Sequence, residues 1–149
     1  MRLRPAAIPP IFLAVVLMAP GACGQGNSNN ADDFSGPEKD VAEAVYDFRD
    51  AVAKRDEGKV CDSFFTAALR DEIVRVAKEA KRGSTCAKAI EDSLQDIDAT
   101  DIEIPKDGIS ITGSTATVKI KTNLSGDTPD PTDTLTLADE RGWRISKLP

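Results

Sequence analysis

The sequence predicts an α+β domain with helices first and antiparallel sheet second, and three observations carry that prediction. Apolar residues recur at helical spacing from Val41 to Ile97, they alternate strictly from Ile102 onward, and the period changes once, near Asp98. Strict alternation gives each strand a single apolar face, and the helical half is its natural cover. At 149 residues the chain has room for one such domain behind a leader.

The leader comes first. Arg2 and Arg4 precede an apolar stretch, Ile8 to Ala19, that Pro9 and Pro10 break early. It is too short to cross a bilayer, which takes roughly 20 apolar residues. A basic start, a short apolar run and then small residues form the layout of a secretory signal peptide over 1–22. After Cys23, "GQGNSNNADDFS" is small or polar apart from Phe34, so a flexible tether is expected over 23–36. The folded domain is then 37–149, with helices over 37–98 and strands over 100–148.

Within the helical half, Ser35 and Glu38 stand at capping-box spacing around Pro37. Val41, Ala44, Val45, Phe48, Ala51 and Val52 follow on one face of a helix that ends near Gly58. Val60, Cys61, Phe64 and Phe65 make a short second helical segment. Thr66 can cap a third helix whose stripe is Leu69, Ile73, Val76, Ala77 and Ala80. Gly83 in "KRGS" suits its left-handed stop. Ser84 or Thr85 begins a fourth, with Cys86, Ala87, Ile90, Leu94 and Ile97 on one side. The charged residues between these stripes read as solvated faces.

In the second half, Ile102 and Ile104 alternate with charge until "PKDG" breaks the chain. Ile109 and Ile111 alternate up to the "TGST" turn, and Ala116, Val118 and Ile120 continue beyond it. Leu135 and Leu137, then Trp143 and Ile145 after "ADERG", complete the strands.

Outside the cytoplasm a cysteine needs a role. The small residues before Cys23 resemble the bacterial lipobox, in which the cysteine becomes thioether-linked to diacylglycerol and is the first residue of the mature protein. Pro20 stands where an aliphatic residue is usual. The alternative is ordinary cleavage after Ala22, leaving a secreted protein with a free thiol. Two acyl chains anchor a protein stably where one does not, so lipidation places the domain at the extracytoplasmic face of the cell membrane. The remaining pair, Cys61 and Cys86, is expected to form a disulfide, with two buried free cysteines as the alternative. Closing that loop stabilises by about 3.5 kcal/mol in the chain-entropy model.

The stretch "VAEAVYDFRDAVAKRDEGKVCDSFFTAALRDEI", a long helix leading into a short Cys-bearing one, and the closing strand "RGWRISKLP" resemble the nuclear transport factor 2-like superfamily. The resemblance spans roughly 37–149. It implies a curved antiparallel sheet closed by N-terminal helices, a cystatin-like cone. The helix–Cys, helix–Cys arrangement is also similar to small actinobacterial envelope lipoproteins of that superfamily.

The chemistry is narrowed by what the chain lacks. With no histidine, the usual general base and the commonest zinc ligand are missing. No metal-ligand spacing and no cofactor motif is present, and no catalytic residue is assigned. Asp127, Asp130 and Asp133 in "GDTPDPTD" do not follow a calcium-loop pattern and read as an acidic solvent loop. A net charge of −6, or −8 once Arg2 and Arg4 are cleaved away, argues against nucleic acid.

Three residues are candidates for a ligand site. Trp143 either packs as core or lines the mouth of the cone, and core is the commoner role. Tyr46 falls off the Val41–Phe48 stripe and is expected at a helix flank with its hydroxyl wet. Asp101 shares a strand face with Glu103, opposite Ile102 and Ile104, and both carboxylates are expected to be solvated unless Asp101 points inward.

The function expected is thus a non-catalytic, lipid-anchored binding domain for an envelope protein, an envelope component or a small apolar ligand. The alternative is a small cone-fold enzyme doing carboxylate acid/base chemistry on an apolar substrate, which requires an Asp or Glu buried in an apolar pocket.

Overall fold

The computed structural model describes residues 27–28, 30–95, 102–122 and 132–149. The signal peptide, Cys23 and Asp101 lie outside them. N-terminal helices pack against a five-stranded antiparallel sheet, as the change of period predicts.

Helix α1 (Pro37–Ala53) begins without the capping box. Gly36 is the residue before the first turn, at φ 58, and has no side chain to offer. Ser35 is therefore one position too early. Pro37 occupies the first helical position, where its missing N–H costs nothing. The helix stops in a Schellman motif: the Arg55 N–H donates to the Val52 carbonyl (2.9 Å) and the Asp56 N–H to the Ala51 carbonyl (3.1 Å). Arg55 takes the left-handed conformation there, φ 54.

Asp56 then accepts the Lys59 N–H (3.0 Å) and starts the short α2 (Glu57–Lys59), which widens into a π-helical turn over Val60–Phe64. Phe65, expected in the same helical segment, is extended instead and bridges Ile145 in parallel, with the Thr66 N–H donating to the Ile145 carbonyl (3.0 Å). A strand edge has claimed it. Thr66 caps α3 (Ala67–Glu79) by accepting the Leu69 N–H at 3.2 Å, as the sequence predicts.

The stop of α3 differs from expectation. Lys81, not Gly83, holds the left-handed position (φ 58), and the Arg82 N–H donates to the Ala77 carbonyl at 2.8 Å. The helix simply ends two residues sooner than its glycine. Thr85 accepts the Lys88 N–H (3.3 Å) at the start of α4 (Cys86–Gln95). The disulfide Cys61–Cys86 ties the π-helical turn to the first residue of α4.

Strands β2 (Ile102–Pro105), β3 (Ile109–Thr112), β4 (Thr115–Thr122), β5 (Thr132–Asp139) and β6 (Trp143–Lys147) follow. Both β2 and β3 pair with β4, one after the other along the same edge; β5 and β6 complete the sheet on the other side. The buried isoleucines change parity between Ile104 and Ile109, so an unbroken strand would turn one pair outward. The "PKDG" turn resets the register. Its Gly108 N–H donates to the Pro105 carbonyl (2.7 Å) and its carbonyl accepts from the Lys119 N–H (2.8 Å). A Cβ at Gly108 would stand 2.8 Å from the Pro105 carbonyl oxygen, so the turn requires glycine.

The segment expected to be tether holds regular structure at 27–28 and 31–33. Asn27–Ser28 form a two-residue strand, β1, antiparallel to Ile104–Pro105, and Ala31–Asp33 form a 3-10 turn against α1. Ala31 and Phe34 join the core. Burying one phenylalanine contributes about 1.5–3 kcal/mol, which composition averaged over the segment does not register.

Candidate functional site

Two concave surfaces flank α1. The first is an apolar groove of about 400 Å³ between the α3–α4 hairpin and the end of the sheet. Phe48, Phe65 and Leu148 face it from the core side. Ile73, Val76, Ala77 and Ala80 come from α3, and Ala89, Ile90 and Ser93 from α4. The floor is fixed by an aromatic cluster in which the Phe48 ring lies 6.0 Å from Phe65 and 6.1 Å from Phe64.

The open character of this groove comes from α3. The stripe Leu69, Ile73, Val76, Ala77, Ala80 reads as core, yet only Ala77 is buried. Val76 is 48% exposed, the one large hydrophobic so exposed among the described residues. The stripe is wider than the surface beneath it. Two charged groups border it, Glu72 and Arg82. Glu72 is exposed and pairs with Arg75 at 3.5 Å, and Arg75 also holds Glu79 at 2.9 Å. The enzyme alternative asks for a carboxylate buried among apolar walls. Glu72 is not that.

The second surface is a polar cleft of about 560 Å³ between α1 and the N-terminal turn, lined by Asn30, Asp32, Glu43, Tyr46, Asp47, Arg49 and Asp50 among others. Lys39 donates to Asp32 across its edge at 2.7 Å. That hydrogen bond, with the attraction between the charges, holds the Asp32 carboxyl below the usual carboxylate range and the Lys39 amine above its own. Arg49 stacks over the Tyr46 ring at 4.8 Å and pairs with Asp50 at 3.1 Å. Among the described residues no group of three or more cysteine, aspartate or glutamate side chains is placed to hold a metal.

Of the predicted site residues, Tyr46 needs correction. It is 6% exposed, and its hydroxyl accepts the Ile104 N–H at 3.3 Å. β2 pairs with β4 at Ile102 and Glu103 and with Asn27–Ser28 at Ile104 and Pro105, and the Tyr46 hydroxyl adds a side-chain acceptor at Ile104. It is a structural pin between α1 and β2. Trp143 is half-buried against the core, lining neither surface, and Glu103 lies opposite Lys121 on β2. Asp133 is half-buried on β5 opposite Ile120, not in a solvent loop; Asp127 and Asp130 lie outside the described residues. Cys61 and Cys86 are joined, and they fasten α4, one wall of the apolar groove. Sequence reasoning missed the groove residues because a half-covered stripe and a core stripe share one period.

No family model, curated protein or solved structure matches this chain. No described helix is long and apolar enough to cross a membrane.

Proposed function

We propose that this protein is an exported lipoprotein, anchored through Cys23 at the extracytoplasmic face of the cell membrane, whose domain binds an apolar ligand without catalysis. The observation that carries the reading is the groove beside α3, where apolar side chains left uncovered on a folded domain form a site that works by burial. Its volume falls within the range of about 300–1,000 Å³ common to small-molecule sites. The disulfide supports export, because such bonds persist in oxidising compartments. Helices preceding an antiparallel sheet support a nuclear transport factor 2-like cone as the finer description of the fold.

The test has two parts. Expressed as the full chain in a bacterium that processes lipoproteins, the protein should fractionate with the membrane and yield a diacylglyceryl-Cys23 peptide on mass spectrometry. The purified protein should bind the neutral dye Nile red saturably, and Val76→Asp should weaken that binding at least ten-fold with the circular dichroism spectrum unchanged. Unacylated Cys23 in membrane-extracted protein would remove the anchor. Dye binding indifferent to Val76→Asp would remove the groove.

A further inference from the structure

The charge around the apolar groove is not spread evenly, and it points to the class of ligand. The chain as a whole carries −6, yet the last turn of α3 and the residues just after it carry Lys78, Lys81 and Arg82. Arg82 borders the groove itself. Among the neighbouring carboxylates, Glu72 and Glu79 pair with Arg75, and Glu91 with Lys88. No described carboxylate forms an ion pair with Lys78, Lys81 or Arg82, so this end of the groove is a local positive field on an acidic protein. Cations in a last helical turn also complement the helix dipole, but that effect falls off within the turn. Arg82 lies beyond the end of α3, next to the apolar walls. An apolar trough with a guanidinium at its rim is complementary to a molecule with one hydrocarbon chain and one negative head.

We propose that the groove binds a single-chain anionic amphiphile, its chain lying along Phe48, Ile73, Val76 and Ile90 and its acidic head at Arg82. This rests on the groove being the binding site. The chain contributes affinity through apolar area removed from water, and the head contributes orientation through a charge-assisted hydrogen bond to the guanidinium. A free fatty acid and an acidic lysophospholipid share this chemistry; a bilayer surface rich in acidic lipid offers the charge but no single free chain.

The experiment uses the full mature chain with its disulfide intact. Binding of cis-parinaric acid is followed by fluorescence beside its methyl ester, which has the same chain and no charge. The acid should bind saturably, one per protein, at least ten-fold more tightly than the ester. Arg82→Glu should erase that preference while leaving ester and Nile red binding as they were, and Ala80→Trp should block acid and ester alike. Oleate and an oleoyl lysophosphatidic acid, added as competitors, identify which source fits better, and displacement by either supports the proposal. Equal affinity for acid and ester, with Nile red still bound, overturns the anionic preference and leaves the groove reading intact. Loss of every apolar compound overturns both. Flotation on vesicles containing acidic lipid, dependent on Lys78, Lys81 and Arg82 but without binding of the monomeric acid, also overturns the proposal, in favour of docking to the bilayer surface. Unchanged circular dichroism and thermal midpoint for each variant exclude misfolding as the cause.

Discussion

Helices α1 and α3 are written with the same period, yet they are held in place differently. Along α1, Val41, Ala42, Val45, Tyr46, Phe48, Ala51 and Val52 are buried, whereas α3 buries Ala77 alone. The first lies across the sheet, touching β2, β3 and β6. The second leans on α4 and on the end of β6, and α4 is tied down by a disulfide. One half of the molecule is stabilised by packing; the other is a half-covered hairpin tied by sulfur at the first residue of α4. Regions with few buried apolar contacts open at lower free energy than the core, and binding surfaces are drawn from them.

Truncation of the two halves gives the largest contrast. Leu137, fully buried on β5 opposite Ala116 and Ile145, should lose about 2–5 kcal/mol when changed to alanine. Ile73→Ala on α3, where the side chain is half-exposed, should cost about 1 kcal/mol or less. Urea midpoints of the two variants measure the difference, and equal losses would mean α3 is as much core as the central sheet.

Next comes the sulfur. Replacing Cys61 and Cys86 by alanine together removes a constraint on a 25-residue separation and should lower stability by about 3.5 kcal/mol in the chain-entropy model. Amide exchange should locate the effect. Protection in α3 and α4 should fall first, with that of α1 and the central strands following only as the whole domain unfolds. A loss spread evenly over both halves would show that the hairpin does not open by itself.

Tyr46 tests how the packed half is joined. Its hydroxyl accepts a buried backbone N–H that also faces Ser28 of β1, and Tyr46→Phe removes the side-chain acceptor. The cost should be about 0.5–1.5 kcal/mol, together with faster exchange of the Ile104 amide. An unchanged Ile104 amide would mean another acceptor takes over.

The same residue marks where the sequence stops being informative. Period and parity are local, and they located the four helices, the Thr66 cap and the apolar faces of β2 to β6, since each depends on residues a few positions apart. Tyr46 meets Ile104 across 58 positions, and no local pattern encodes that. Its position beside Val45 put it off the stripe, but the sheet extends past the stripe as β1 and β2. Phe34 was hidden similarly, one aromatic in a polar run. The groove was harder still. A stripe of Leu69, Ile73, Val76 and Ala77 states that α3 has an apolar face, not how much surface lies opposite to cover it.

Both halves place a basic residue in the left-handed conformation at a helix end, Arg55 after α1 and Lys81 after α3. That conformation costs an ordinary residue about 1–2 kcal/mol, part of which glycine returns through its freer unfolded chain. Arg55→Gly and Lys81→Gly should each therefore stabilise by about 0.5–1 kcal/mol. Equal gains would show that both caps unfold with the whole domain. A gain at Arg55 without one at Lys81 would show that the hairpin has already opened when the core melts.

The smallest effect belongs to the N-terminal turn on the packed side. Asp32 is held below its ordinary range by Lys39, so the pair stabilises the turn above the range where a free carboxyl ionises, and this is lost as pH falls through the lowered folded value. Lys39 is raised, so its share is complete below the range where a free amine titrates and is lost as pH rises through the raised value. Both groups are exposed, and the effect should be local. Exchange of the Phe34 amide, which donates to the Ala31 carbonyl at 3.0 Å, reports on the turn directly. Corrected for intrinsic rate, its protection should weaken at acid pH in the native chain, and Asp32→Asn should flatten that dependence while leaving α1 as it was. An acid limb that survives Asp32→Asn would transfer the turn's stability from this ion pair to the burial of Phe34.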